Sequence, residues 1–104
     1  MEQNEVIARI KETAERILPE GASLWLYGSR ARGDARPDSD YDLLILIDKN
    51  SLSSSDYDAV FDLRLLGVTL NEEINPTVYP KSQWMKWGYV PFHDNVENDK
   101  IVLR

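Results

Sequence analysis

Two aspartates separated by a single residue, Asp40 and Asp42, are the part of the sequence best suited to chemistry. They stand at the start of an apolar run, Tyr41–Ile47, that has the length of a strand. Because residues i and i+2 of a strand point to the same face, both carboxylates are expected to project together. Two such charges repel each other unless a cation neutralises them. Hard oxygen ligands, with no cysteine or imidazole nearby, favour Mg²⁺ or Mn²⁺ over zinc.

A second feature, Gly28-Ser29, begins twelve residues before Asp40. Glycine at the end of a strand allows a close backbone approach, and a serine that opens a short helix leaves free amide groups for an anion. Arg30 and Arg32 would add charge-assisted hydrogen bonds to a phosphate. Each half has an ordinary alternative. An isolated Asp-x-Asp is typical of a polar strand end, and a serine-capped turn often carries solvated arginines.

Taken together, the two halves indicate one kind of chemistry. A phosphate cradle and a metal-binding carboxylate pair, at the ends of adjacent strands, supply what phosphoryl or nucleotidyl transfer requires. A metal held by the carboxylates would bridge phosphate oxygens, while the cradle would hold the leaving pyrophosphate.

The elements that position these residues follow from hydrophobic periodicity and turn residues. Pro19 and Gly21 end an amphipathic helix, and Ser51 to Ser55 offer N-caps for a second helix. That helix has apolar positions at Tyr57, Val60, Phe61, Leu65 and Leu66, with Gly67 as its C-cap. Pro76 removes a donor from the third strand and therefore predicts an edge or a bulge. The predicted elements are helices near 4–18, after 51–55 and over 82–87, strands over 23–27, 41–47 and 72–79, a loop over 33–39, and an apolar segment over 101–103 that needs covering.

This element order predicts an α/β or α+β two-layer fold with a small mixed sheet and flanking helices. A chain of 104 residues has room for one domain, residues 1–104. A net charge of −6 disfavours non-specific binding to nucleic acid. The absence of cysteine, of a signal-like N-terminal segment and of a membrane-length apolar run predicts a cytoplasmic protein that does not contact membranes. Trp84 and Trp87 offer a stacking surface for a base or, more commonly, form core.

Leu26 to Gly33, followed by Ser39 to Ile45, resembles the signature of the polymerase β-like nucleotidyltransferase superfamily. That signature is a hydrophobic residue with Gly-Ser, a spacer of about ten residues, and Asp-hydrophobic-Asp. The likeness is closest to its small members, the minimal nucleotidyltransferases. It implies a palm-type α/β core and metal-dependent transfer of a nucleoside monophosphate from an NTP. It also implies triphosphate contacts at Gly28 and Ser29 and metal ligands at Asp40 and Asp42.

The third carboxylate common in active superfamily members is not obvious here. By register, Asn75 occupies the position on the next strand where that acidic residue usually stands. Glu73, two residues earlier on the same face, is the predicted catalytic substitute because of its longer side chain. If Asn75 itself fills the position, the site loses a charge and catalysis is expected to be weaker or absent.

The predicted function is Mg²⁺-dependent (or Mn²⁺-dependent) transfer of a nucleotide, most often AMP from ATP, to a hydroxyl. A chain this short lacks a separate acceptor-binding domain, so acceptor recognition falls to a partner, to a homo-oligomer or to a small substrate in the open cleft. Minimal nucleotidyltransferases are typically paired with a small helical HEPN protein, for which they act as antitoxin. The resemblance therefore implies such a partner, with adenylylation of the toxin as the reaction. The alternative is a catalytically weak or inactive module of the same fold that neutralises a partner by binding.

Overall fold

The computed structural model describes residues 1–104, and most of the predicted elements are confirmed. Helix α1 carries apolar residues at every fourth position, Val6, Ile10 and Ala14, all of them buried, and it ends just before Pro19. None of the helices is long and apolar enough to cross a membrane. The elements are α1 (Gln3–Ile17), β1 (Ser23–Tyr27), α2 (Ser29–Arg32), β2 (Tyr41–Ile47), a 3₁₀ turn (Ser54–Tyr57), α3 (Asp58–Leu70), β3 (Ile74–Pro80), α4 (Lys81–Lys86), α5 (Pro91–Asp99) and β4 (Ile101–Val102).

The four strands form one mixed sheet in the order β3-β2-β1-β4. Strand β1 is antiparallel to β2 and β4, whereas β2 and β3 are parallel. Strand β3 lies at the edge of the sheet, which confirms the expectation for Pro76: its missing N–H leaves no gap between two strands. Strand β4 pairs with β1, but the side chains of Ile101 and Val102 remain 44% and 60% exposed, and only Leu103 packs against the core, so the 101–103 segment is covered only in part.

Alternate residues of the central strand β2 pack against different helical layers. Its odd-numbered residues, from Tyr41 to Ile47, join the larger core, which α1 and α3 cover. Its even-numbered residues, Leu44 and Leu46, join a smaller core with Trp84 of α4 and Val96 of α5. The predicted mixed sheet with flanking helices is confirmed. The prediction had two layers, and helices α4 and α5 form a thin further layer on the second face of the sheet. Strand β2 is buried on both faces, as its continuous apolar run predicted.

The aromatic residues complete the smaller core. Trp84 is buried and contacts Trp25 and Phe92 edge-on, with ring centroids 6.1 and 5.8 Å away. Trp87 lies against Tyr79, with their centroids 4.9 Å apart. The two tryptophans predicted either to stack on a base or to form core therefore belong to the core.

Helix α3 differs from its prediction in two respects. It runs on to Leu70 and is capped by Asn71, which has a left-handed backbone, so Gly67 is an interior residue and the predicted C-cap was wrong. A Cβ at Gly67 would lie 2.7 Å from the carbonyl oxygen of Glu72, so glycine is required where the chain turns back into β3. The helix is apolar on both sides: it buries Leu63, whereas three of its predicted apolar positions, Tyr57, Phe61 and Leu65, are exposed.

Candidate active site

The carboxylate pair stands where the loop after α2 enters the sheet. Asp40 immediately precedes β2 and is exposed, and Asp42 is the second residue of the strand and half-buried. Asp42 precedes Leu44 by two residues and Leu46 by four, so it lies on the same sheet face as these two, the face that α4 and α5 cover. The alternation of the strand places Asp40 on this face as well. The structure therefore brings the two predicted carboxylates to one side of the sheet.

The surroundings of Asp42 make its charged form less favourable than that of an aspartate in water. Burial raises the pKa of Asp42 above its ordinary value, and the charge of Asp40 adds to this effect. A hydrogen bond from Asn75 and the charge of Arg32 act in the opposite direction but do not cancel it. Such a carboxylate gains from a bound cation, because the cation removes both the desolvation cost and the repulsion.

Gly28 provides the close backbone approach that the sequence suggested. Its backbone has φ 76° and ψ −158°, a combination that is essentially restricted to glycine. A Cβ at this position would lie 2.5 Å from Oδ2 of Asp42. The absence of a side chain at Gly28 therefore allows the Asp42 carboxylate to approach the backbone, and any other residue would displace it.

Ser29 and Arg32 lie at the same cleft as Asp42, whereas Arg30 does not. The Arg32 guanidinium pairs with Asp99 at 2.7 Å and with Asp34 at 3.2 Å. These carboxylates, Asp99 first, raise the already high pKa of Arg32, so it remains a cation. Ser29 is the first residue of α2, which has only one turn.

Arg30 was predicted to contact the nucleotide, but its guanidinium is directed into the protein. It donates hydrogen bonds to the carbonyl oxygens of Ser39, at 3.0 and 3.2 Å, and of Pro37, at 3.2 Å. It also donates to Oε1 of Gln3 and lies 4.3 Å from the ring centroid of Tyr41. Arg30 is buried, so its donors are used to hold the loop that leads to the carboxylate pair.

Asn75 occupies the position next to Asp42 on the neighbouring strand. The two residues are register partners of β2 and β3, and Nδ2 of Asn75 donates to Oδ1 of Asp42 at 3.4 Å. Glu73 precedes β3 and is exposed; its carbonyl oxygen accepts a hydrogen bond from the N–H of Tyr41. Its side chain belongs to a different surface depression, shared with Gly67 and Asn71. The usual position of the third acid is therefore taken by an amide, with Glu73 one step outside the sheet.

Helix α5 forms the opposite wall of the site, which the sequence analysis did not anticipate. A cleft of about 590 Å³ separates Asp42 and α2 from this helix. The Pro91–Asp99 segment has few apolar residues, and the only available signals were Pro91 at a helix start and Val96 alone in a polar stretch. The cleft is lined by Tyr27, Gly28, Ser29, Arg32, Asp42, Phe92, Asn95, Val96 and Asp99.

The donor set fits a hard divalent cation. Asp40 and Asp42 supply carboxylate oxygens on one face, the side-chain amide of Asn75 lies beside Asp42, and no thiol or imidazole lies among the cleft residues. Three acidic or histidine side chains do not converge at any point of the structure, so further ligands would come from the substrate and water.

The fold is that of an α/β protein with an open cleft, lined by the Gly28-Ser29 turn, Arg32 and Asp42, at the end of a mixed sheet. The sequence profile of the nucleotidyltransferase domain matches residues 7–100, and the chain belongs to this family. The resemblance seen in Leu26–Gly33 and Ser39–Ile45 is thereby confirmed. No curated protein sequence matches the chain.

Solved structures with the same fold come from toxin–antitoxin complexes. One is a toxin–antitoxin with AMP-PNP, matched with a TM-score of 0.62 and 16% identity over 100% of this chain and 73% of the other. A mutant of the complex MntA–HpeT gives 0.63 and 14% over 100% and 73%. A tri-AMPylated Shewanella oneidensis HEPN toxin in complex with its MNT antitoxin gives 0.62 and 14% over 99% and 72%. At this level of identity, the likeness establishes the fold.

Proposed function

We propose that the chain is a Mg²⁺-dependent (or Mn²⁺-dependent) nucleotidyltransferase that transfers AMP from ATP to a hydroxyl of a small helical HEPN-type partner protein. The observation that carries the proposal is the pairing of Asp40 and Asp42 on one sheet face, with the Gly28-Ser29 turn and Arg32 at the same cleft as Asp42. Membership of the nucleotidyltransferase family supports the reaction class. The partner is supported by the HEPN toxin complex that shares the fold. The proposed location is the cytoplasm, where ATP is available.

In the proposed reaction, the acceptor oxygen attacks the α-phosphorus of ATP, and the bond between the α-phosphorus and the oxygen of the β-phosphate breaks. Pyrophosphate leaves, and the acceptor hydroxyl loses its proton. A metal ion at this site would neutralise phosphate charge and polarise the α-phosphorus. Asp40 and Asp42 would hold it, while Ser29 and Arg32 would orient the phosphates.

Glu73, which stands just before β3, is the proposed third carboxylate, and its side chain would turn toward Asp40 from the depression that it lines. Tyr41 and Ile74 are register partners, so Glu73 stands one step before this pair, beside Asp40. A carboxylate at this place could accept the proton of the acceptor hydroxyl. The Glu73→Gln variant, which keeps the shape of the side chain, is expected to lose transfer while still binding nucleotide.

The reaction is tested by incubating the chain with α-labelled ATP, Mg²⁺ and the protein encoded by the neighbouring gene. Label is expected on that protein with the wild-type chain and with Asp38→Ala, an exposed aspartate of the same loop. Label should be absent when both Asp40 and Asp42 are changed to alanine. If the wild-type chain labels no more than this double variant, the proposed transfer is wrong.

The second candidate, a module that neutralises a partner by binding alone, is favoured by Asn75 in the place of an acid. Calorimetry with Mg²⁺ and α,β-methylene-ATP, which cannot transfer its nucleotide, separates the two functions. The enzyme should bind this analogue and lose most of the affinity when EDTA removes the metal. A binding module should neutralise its partner equally well when Asp40 and Asp42 are both alanine.

A further inference from the structure

The two walls of the cleft are joined by one short ion pair. Nη1 of Arg32, on α2, lies 2.7 Å from Oδ2 of Asp99, at the end of α5. These residues are 67 positions apart in the sequence, so the contact exists only because the sheet brings α2 and α5 together. Both residues line the same cleft as Gly28 and Asp42.

Arg32 has a second carboxylate partner, but the two partners are not equivalent. Asp34 contacts Nε at 3.2 Å, and 62% of its side chain is exposed. Only 18% of the Asp99 side chain is exposed, and its contact with Arg32 is shorter. Asp34 belongs to the loop after α2 and does not line the cleft, whereas Asp99 does. Asp99 is therefore the partner that acts inside the cleft.

The donors that Asp99 uses are the donors that a phosphate would need. A guanidinium has five N–H donors in a fixed plane, and phosphates bind it through the same fork that a carboxylate occupies. An N–H directed at Oδ2 of Asp99 is not free for a phosphate oxygen. In addition, the carboxylate is an anion next to the path of a polyphosphate, so its charge opposes the entry of that ligand.

We propose that Asp99 is a positioning residue that holds Arg32 at the wall of the cleft and competes with the polyphosphate of an incoming nucleotide for its guanidinium. The inference rests on the proposed function, because it takes an NTP as the ligand. Binding then exchanges one anionic partner of Arg32 for another and releases α5 from α2. The exchange lowers the net affinity for the nucleotide and, after transfer, helps to expel pyrophosphate, because Asp99 can take Arg32 back.

The experiment is calorimetry of Asp99→Asn with Mg²⁺ and α,β-methylene-ATP. The amide keeps the size of the side chain but loses the charge, so the affinity is expected to rise about two- to fivefold, the range of a partly exposed ion pair. The same variant should unfold at a slightly lower temperature than the wild type. A merely structural Asp99 would lower the affinity along with the stability, so the two explanations predict opposite signs.

Two further variants identify the route. Asp34→Asn removes the other, exposed partner of Arg32 and is expected to leave the affinity close to that of the wild type. In an Arg32→Gln background, Asp99→Asn should tighten binding less, because no guanidinium remains to be released and only the direct charge repulsion by Asp99 is removed. Equal or weaker affinity of Asp99→Asn overturns the inference, as does an undiminished gain in the Arg32→Gln background.

Inorganic tripolyphosphate, titrated in parallel, separates this inference from the proposed function. If tripolyphosphate binds more tightly to Asp99→Asn while no nucleotide is transferred, Asp99 competes as proposed and the transfer reaction is wrong. If labelling of the partner succeeds but neither ligand discriminates Asp99→Asn from the wild type, only the inference about Asp99 falls. If neither ligand binds to any variant, both are overturned.

Discussion

At Gly28 and Asp42, a backbone and a carboxylate approach each other so closely that the identity of one residue determines the position of the other. The Gly28 backbone lies in a region that side chains do not tolerate, with φ at 76°. A side chain there would collide with Asp42, because Oδ2 of Asp42 lies 2.5 Å from the position of a Cβ. Glycine is therefore required for two reasons: its dihedral angles and the close approach of the Asp42 carboxylate.

Changing Gly28 to alanine should damage both stability and binding. The strained backbone is expected to cost about 1–3 kcal/mol of unfolding free energy, and the new Cβ would force Asp42 to rotate away. The matched control is Gly33→Ala, where φ is also positive, at 87°, but nothing lies within 4 Å of the added Cβ. Urea unfolding should reveal a loss in both variants, whereas calorimetry should show lost affinity for Mg²⁺ with α,β-methylene-ATP only in Gly28→Ala. Normal affinity in that variant would contradict this account of the glycine.

Asn75 offers the opposite kind of test, in which a charge is added. Asn75→Asp would place a carboxylate next to Asp42, where Nδ2 and Oδ1 are now 3.4 Å apart. Without metal, the like charges are expected to cost about 1 kcal/mol of stability at neutral pH. Mg²⁺ should restore it, so the rise in unfolding temperature between EDTA and Mg²⁺ should be larger than in the wild type. Asn75→Ser, which removes the amide without adding charge, serves as the control. If Mg²⁺ raises the unfolding temperature of Asn75→Asp no more than that of Asn75→Ser, then position 75 does not face the metal.

At the scale of an element, the loop between α2 and β2 is held by a single buried cation. Arg30 donates to the carbonyl oxygens of Pro37 and Ser39, just before Asp40. The sequence analysis assigned this arginine to the ligand because an Arg that follows Gly-Ser is suited to a phosphate. Sequence alone does not tell which way a side chain points from a one-turn helix. Here the Arg30 side chain points to the carbonyl oxygens of the loop and not to the cleft.

Arg30→Ala is expected to lower the free energy of unfolding by about 2–3 kcal/mol, because it leaves loop carbonyls without their charged donor. Arg30→Lys should recover only a part, since one ammonium group cannot reproduce a planar fork. Arg36→Ala, an exposed arginine of the same loop, should change stability by no more than about 0.5 kcal/mol. Hydrogen exchange of residues 33–40 should accelerate in Arg30→Ala only. Unchanged hydrogen exchange in Arg30→Ala would show that Arg30 does not hold this loop.

The 3₁₀ turn Ser54–Tyr57 is expected to make the stability of the protein fall at acid pH. Asp56 accepts the N–H of Ser53 at 2.8 Å in a capping box and pairs with Lys49 at 3.0 Å. The Ser53 hydrogen bond is the main reason that the pKa of Asp56 is lowered, with Lys49 contributing against the effect of burial.

A carboxyl group whose pKa falls on folding stabilises the protein fully above its unfolded pKa of about 3.9. That contribution is lost as the pH falls from this value through the lower pKa of the folded state. Asp56→Asn should therefore be less stable than the wild type at neutral pH, and the difference should shrink below about pH 4. Urea unfolding of both proteins across this range measures it; a constant difference would exclude the ionised form of Asp56 as its source.

The sequence predicted the central elements well because their signals are local. The signals are the continuous apolar run of Tyr41–Ile47, Pro19 after the first helix and the Gly28-Ser29 turn, and each acts within a few residues. Helix α5 was missed because its apolar face is small and is completed by Trp84 from another element. Asp99 could not be assigned to the site at all, since its partner Arg32 lies 67 positions earlier in the chain.

Considered as a whole, the molecule uses the two faces of its sheet differently. The face under α1 and α3 holds the larger core and no residue of the candidate site. The other face carries Asp42 and the thin layer of α4 and α5, whose core contains Trp84 and Val96. The position of the cleft wall therefore depends on the smaller of the two cores, and the stability of the sheet depends mainly on the larger one.

Two core substitutions should separate these contributions. Trp84→Leu would leave a cavity beneath α5, and Leu63→Ala would leave one beneath α3; Trp84 and Leu63 are both buried, with exposures of 2% and 0%. Each is expected to cost about 2–5 kcal/mol of unfolding free energy. The affinity for Mg²⁺ with α,β-methylene-ATP, measured at a temperature where both variants remain folded, should fall in Trp84→Leu and stay near the wild-type value in Leu63→Ala. The reason is that Val96 packs with Trp84 in the smaller core and also lines the cleft, so a cavity there displaces the wall that the nucleotide would contact. Equal affinities in the two variants would mean that α5 does not form the wall of the nucleotide site.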